Sequence, residues 1–148
     1  MRFSASSISL ISALTLLSAA SARIIGFEAP RTIAAGESFT VSLLTENYIQ
    51  SVFDVAAAFG IATGNFPADL GILVGSGYIG PDLSNRVEKL NFTVSTFENT
   101  VHGPAVLSAS VFSLYGVAYG PVLVPFNVSV TVGDVTSTDT VNTTVYTQ

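Results

Sequence analysis

The sequence predicts an all-β protein: one immunoglobulin- or fibronectin-like β-sandwich of about seven to eight strands, following a cleaved signal peptide. Three observations predict it. Val, Ile, Thr, Phe and Tyr dominate the chain beyond residue 22, and Gly, Pro and Asn punctuate them. Apolar and polar residues alternate with a period of two in several short runs. No charged amphipathic helix, heptad pattern or internal repeat interrupts these runs. A small barrel would satisfy the same pattern. The disulfide and buried Trp of antibody domains are missing, because the chain has no Cys and no Trp.

The elements follow in chain order. Arg2 is a short positive start, Ile8 to Leu17 is an apolar run, and Ala20-Ser21-Ala22 is a small-x-small cleavage site. The run is shorter than the ~20 residues of a membrane-spanning helix. Residues 1–22 are therefore a signal peptide, and 23–148 are the folded domain. Arg23–Phe27 is a first strand that ends before Ala29-Pro30, and Ile33–Glu37 is a turn. Ser38–Thr45 alternates, with Phe39, Val41 and Leu43 on one face. Val52–Phe59 is apolar and ends at Gly60. Leu70–Gly80 is glycine-rich, with Gly71, Gly75, Gly77 and Gly80 marking bulges or close backbone approach. Val87–Val94 puts Leu90, Phe92 and Val94 on one face. Ala105–Tyr115 is a long strand. Pro121 and Pro125 lead into Phe126–Val132 and suit a bulge or an edge, where a missing N–H costs little. Val135–Tyr146 is a last edge strand or a frayed tail.

Composition excludes several functions. Without Cys there is no disulfide framework, no zinc knuckle and no thiol nucleophile. The formal charge is −5, and loss of Arg2 with the leader makes it more negative. No basic patch supports nucleic-acid or anionic-membrane binding. Beyond the leader no apolar run is long enough to cross a bilayer.

No catalytic residue, cofactor site or metal site is expected. His102, the sole His, sits in a turn-like run and reads as a solvated loop residue, with no nucleophile elbow in the chain. Asp54 lies inside an apolar run and reads as a structural carboxylate that takes backbone donors. The carboxylates are otherwise scattered, with no spacing for a metal. Three sequons, at Asn91, Asn127 and Asn142, are candidate N-glycosylation sites. Asn91 and Asn127 fall on the polar face of their strands. The bridge Glu46–Ser51 lacks the Gly or Asn-Gly of a hairpin turn. Either Tyr48 and Ile49 tuck into the core edge, or Tyr48 and Gln50 stand at one end of the sandwich and touch a partner.

Four stretches carry a family resemblance: Glu46–Val52 running into Asp54-Val55 and Ala58–Gly60; Leu70–Ser76 running into Tyr78–Pro81; Ser113–Gly116; and Asn127–Asp134. In this order, behind a signal peptide, the chain resembles the necrosis-inducing secreted protein family of fungal effectors. The resemblance implies a secreted interaction protein of a plant-associated fungus. It would be involved in plant cell death and would suppress pattern-triggered immunity by binding host receptor-associated immune kinases. Kinases that signal inside the plant cell would require uptake. It brings no catalytic residues. A secreted cell-wall or carbohydrate-binding module is the alternative, weakened by the absence of Trp and of an evident tyrosine strip. A hydrolase has the least support, because no acid–base pair can be argued.

The leader makes a direct prediction. N-terminal sequencing of the exported protein should begin at Arg23; retention of Met1 would contradict it.

Overall fold

A computed structural model of the protein describes residues 21–63 and 70–145. The signal peptide expected at 1–22 therefore lies outside the described residues, apart from Ser21 and Ala22. Nine strands and one helical turn occur among the described residues: β1 (Ser21–Pro30), β2 (Thr32–Ala34), β3 (Ser38–Tyr48), β4 (Val52–Ala62), β5 (Ile72–Tyr78), α1 (Gly80–Leu83), β6 (Leu90–Ser95), β7 (Gly103–Tyr115), β8 (Gly120–Gly133) and β9 (Thr140–Thr144). They form two sheets, ordered β6-β3-β1-β9 and β2-β8-β7-β4-β5. The all-β sandwich is as the composition implies.

The differences lie at the margins. The segment read as a turn at Ile33–Glu37 is partly strand: β2 pairs in parallel with Thr131–Gly133 of β8. The first strand does not stop before Ala29-Pro30. Those residues pair with Val141 and Thr140 of β9, which gives the Thr-rich tail its place as an edge strand. The strand also starts earlier, at Ser21, with Ala22 wholly buried. Cleavage after Ala22 would remove the ladder positions opposite Tyr48 and Asn47.

Alternation builds the core. Phe39, Val41 and Leu43 of β3 face Leu107, Ala109 and Val111 of β7 and Phe126, Val128, Val130 and Val132 of β8 across the inter-sheet space, all of them buried. At its centre Phe59 stacks on Phe27, with ring centroids 5.9 Å apart, and tilts against Phe92 at 5.3 Å. Aromatic pairs at such distances add to plain area burial. Two glycines let the sheets close at one side. A Cβ on Gly75 would run into Val94, and one on Gly77 into the Phe92 ring, so β5 can lie against β6. A bulge on β5, where Phe59 pairs with Gly75 but Gly60 with Leu73, completes the bend.

The edge of β8 carries the prolines as expected. Its pairing with β7 is unbroken from Gly120 to Val132, so the nitrogens of Pro121 and Pro125 face the open edge. They remove donors that another strand could use. All three sequon asparagines are exposed. Asn91 and Asn142 share one row across the four-stranded sheet, through Ser42 and Glu28.

Phe59→Ala should destabilise the fold by about 3–5 kcal/mol, the usual range for a buried aromatic truncation. Chemical denaturation of the purified variant measures it. A cost typical of a surface change would place the core elsewhere.

Candidate partner-binding site

One end of the sandwich gathers the start of β1, the β3–β4 crossover, the β7–β8 hairpin and α1. The crossover carries the chain from one sheet to the other, which is why it lacks hairpin chemistry. A backbone hydrogen bond from Gly116 to the Ser51 carbonyl, 2.9 Å, ties the crossover to the hairpin tip.

Tyr48 and Gln50 do stand together here. The Tyr48 hydroxyl donates to Gln50 Oε1 at 3.4 Å. Tyr48 is half-buried and belongs to neither of its two expected settings alone. Its ring meets Tyr115 edge-on, with centroids 6.1 Å apart, and the Arg23 guanidinium lies 4.5 Å over it. Arg23 is held in turn by Glu46 at 2.7 Å. Ile49 departs from expectation. It does not tuck into the core edge but is 96% exposed, because the crossover must arch over the end to reach the second sheet.

Two residues at this end carried no distinct sequence signal. Val117 is 96% exposed at the hairpin tip, and Tyr119 is 63% exposed. Tyr119 also has φ of 51°. A bulky residue in the left-handed region is uncommon and costs of order 1–3 kcal/mol. Between these loops and Asn85 lies a cleft of about 150 Å3, floored by Val52, Phe53 and Leu114. The general cue that could have found Val117 and Tyr119 is an apolar, glycine-bounded hairpin loop.

Beneath the rim lies Asp54, 2% exposed. A bulge makes this possible. Asp54 pairs with Ser113 but Ala56 with Phe112, so Val55 is the extra residue and the inward phase of β4 switches across it. The freed Val55 carbonyl accepts the Ile79 N–H at 2.9 Å. The carboxylate partners are serine hydroxyls rather than the expected backbone donors: Ser113 Oγ donates to Oδ1 at 2.6 Å, and Ser84 Oγ stands 3.4 Å from Oδ2. Ser84 Oγ also accepts the Asp54 N–H at 2.9 Å. Asp54 thus ties β4 to β7 and to the exit of α1. Burial pushes its carboxyl above the ordinary carboxylate range, against the two serine hydrogen bonds. Burial, then the charge of Asp54, likewise raises the Tyr115 phenol.

His102 lies at the other end of the sandwich, partly exposed, with Nδ1 3.9 Å from Asp134 Oδ1. Among the described residues no three His, Asp or Glu side chains stand close enough to share a metal ion.

Comparison with known sequences decides the family. The profile described as the Nis1 family matches residues 20–131. This chain belongs to the Nis1 family. It is 43% identical over 140 residues to necrosis-inducing secreted protein 1 of Colletotrichum orbiculare, covering 93% of this chain and 86% of that protein. It is 44% identical over 131 residues to the protein of the same name in Colletotrichum higginsianum, covering 87% and 91% respectively. Like these family members, the chain is a secreted, extracellular protein. No helix among its described residues is long and apolar enough to cross a membrane.

The Asp54 environment sets a pH dependence. A carboxyl whose pKa is higher folded than unfolded holds its proton more tightly in the native state. Its contribution to stability is therefore fully present at acid pH and is lost as pH rises from the ordinary to the raised value. Thermal melts of the wild type and Asp54→Asn across this range should show it. The wild-type advantage should be greatest at the acid end, shrink above the ordinary carboxylate range, then level off. A difference independent of pH would contradict it.

Proposed function

We propose that this chain is a fungal effector that binds host immune-receptor-associated kinases, suppresses pattern-triggered immunity and provokes plant cell death. It acts by binding and not by catalysis. Kinase domains that signal inside the plant cell make uptake part of this reading. The two Colletotrichum relatives carry necrosis induction in their names, which supports the cell-death component here.

The observation that carries the binding is the uncovered rim of Ile49, Val117 and Tyr119 beside Tyr48 and Gln50. Scattered surface apolar residues need no explanation. Here two fully exposed aliphatics and a conformationally strained tyrosine sit on loops joined by a hydrogen bond. Loops on a rigid scaffold are where such domains bind, and tyrosine is favoured at hot spots. The sequons support the same placement. Asn91, Asn127 and Asn142 all lie within strands, on β6, β8 and β9. Glycans there would cover the flat faces and leave both ends clear. The carbohydrate-binding alternative gains nothing from the tyrosines, because Tyr48 and Tyr115 meet at 81° and offer no common plane.

The double variant Ile49→Ser/Tyr119→Ser should keep the wild-type melt. Its affinity for a purified host receptor-associated kinase domain should fall by about thirtyfold, or ~2 kcal/mol. Biolayer interferometry measures the affinity, and the leaf oxidative burst measures suppression. Unchanged binding with an unchanged melt would remove this rim from the interface. Loss of suppression in His102→Ala, with fold and kinase binding both intact, would overturn the non-catalytic reading.

A further inference from the structure

We propose that the opposite end of the sandwich is a second binding site, for a polypeptide segment that presents large apolar side chains flanked by lysine or arginine. This site is independent of the rim formed by Ile49, Val117 and Tyr119.

A groove of about 380 Å3 opens there between the end of β4, the start of β5 and the β6–β7 loop. That volume falls within the range of small binding sites, ~300–1,000 Å3. Ile61, Ala62 and Ile72 form one wall, and Phe97 and Val101 the other. Phe97 is 53% exposed and Val101 64%. The loop that presents them is fixed in place. Phe97 N–H donates to Thr100 Oγ1 at 3.1 Å, and Thr100 N–H to the Phe97 carbonyl at 2.9 Å. Buried Thr96 clamps the loop base: its hydroxyl donates to the Ala34 carbonyl at 3.0 Å and accepts the Gly36 N–H at 3.1 Å. Two apolar side chains are thus held toward water by a pre-organised turn, which lowers the ordering cost of binding.

The charge around the groove selects the occupant. Glu98 lies on the same turn, between Phe97 and Asn99, and is exposed. Exposed Glu37 is its neighbour, since Gly36 packs against the Glu98 side chain. Asp134 stands beside His102, next to Val101. The described segments that meet at this end, 34–38, 61–63, 70–72, 96–103 and 133–136, contain no lysine or arginine. An apolar cleft with an acidic, cation-free rim complements a basic, apolar segment. It repels a second copy of this acidic chain, and it repels nucleic acid. Among the described residues, the polar side chains that line the groove, Thr63, Asn99 and Thr100, are not buried.

The test is fluorescence anisotropy of the exported protein with a labelled peptide in which a central Leu-Phe pair is flanked on both sides by arginines. Two control peptides replace the arginines with glutamates, or the Leu-Phe pair with Gly-Ser. The arginine peptide should bind saturably and both controls should not. Phe97→Ser/Val101→Ser and, separately, Glu37→Gln/Glu98→Gln should each weaken binding by roughly tenfold or more. Ile49→Ser/Tyr119→Ser should leave it unchanged. Melts establish that each variant is folded, and the charge pair tests the site independently of the apolar pair. Equal binding of the Gly-Ser peptide would show charge attraction alone and overturn the proposal. So would wild-type affinity in both groove variants, or no saturable binding at all.

Discussion

The contact between the two inner sheet faces is what everything else rests on. With no cysteine, no covalent cross-link holds β1 and β3 over β4, β7 and β8. Phe59 is central to this contact, because it touches Phe27 on one strand of the opposing sheet and Phe92 on another. Gly75 and Gly77 let β5 approach β6, which brings Val94 and Phe92 over the open side of the sandwich. Burial of this kind scales with the apolar area removed from water, at ~25 cal/mol per Å2. A domain of this size has enough such area to fold without staples.

Bulges turn that regular core into shaped ends. The extra residue Val55 shifts the inward phase of β4, so Asp54 points inside while Ala57, Phe59 and Ile61 still face the core. The same shift frees the Val55 carbonyl for Ile79 and so docks the chain entering α1. A third bulge, at Ile25 of β1, lets Ile24 stay buried while Arg23 reaches Glu46 and the Tyr48 ring. Irregularities in the ladders therefore position both the buried carboxylate and the aromatic–cation cluster beneath the rim.

The surface divides in chemistry along the same geometry. The flat faces are polar along the rows that hold Asn91, Asn127 and Asn142, while the two ends hold apolar residues on hydrogen-bonded loops. One end is a raised rim, the other a groove edged with carboxylates. Three of the basic side chains are engaged by carboxylates, in Arg23–Glu46, Arg31–Asp139 and Lys89–Glu28. The charge left unpaired on the surface is accordingly mainly acidic.

Much of this protein was legible in its sequence because strand alternation is a local property. The period-two runs at Ser38–Thr45 and Phe126–Val132 name their own buried faces, and the outward phase of Asn91 and Asn127 follows from the same rule. The prolines at 121 and 125 announce a bulge or an open edge because they cannot donate, and the unbroken pairing with β7 makes it an edge. Other features were decided only by tertiary structure, because they depend on what lies across the fold. Thr32–Ala34 is a strand only because β8 lies beside it, and Ala29-Pro30 only because β9 does. Asp54 has serine partners from β7 and from the exit of α1, residues far away in the chain. Ile49 has the composition of a core residue, yet a crossover between sheets must leave it in water. The groove at the far end joins residues from three separate segments, and no window of sequence contains them all. Periodicity determines which side of a strand is buried; only the pairing of distant strands determines what that side meets.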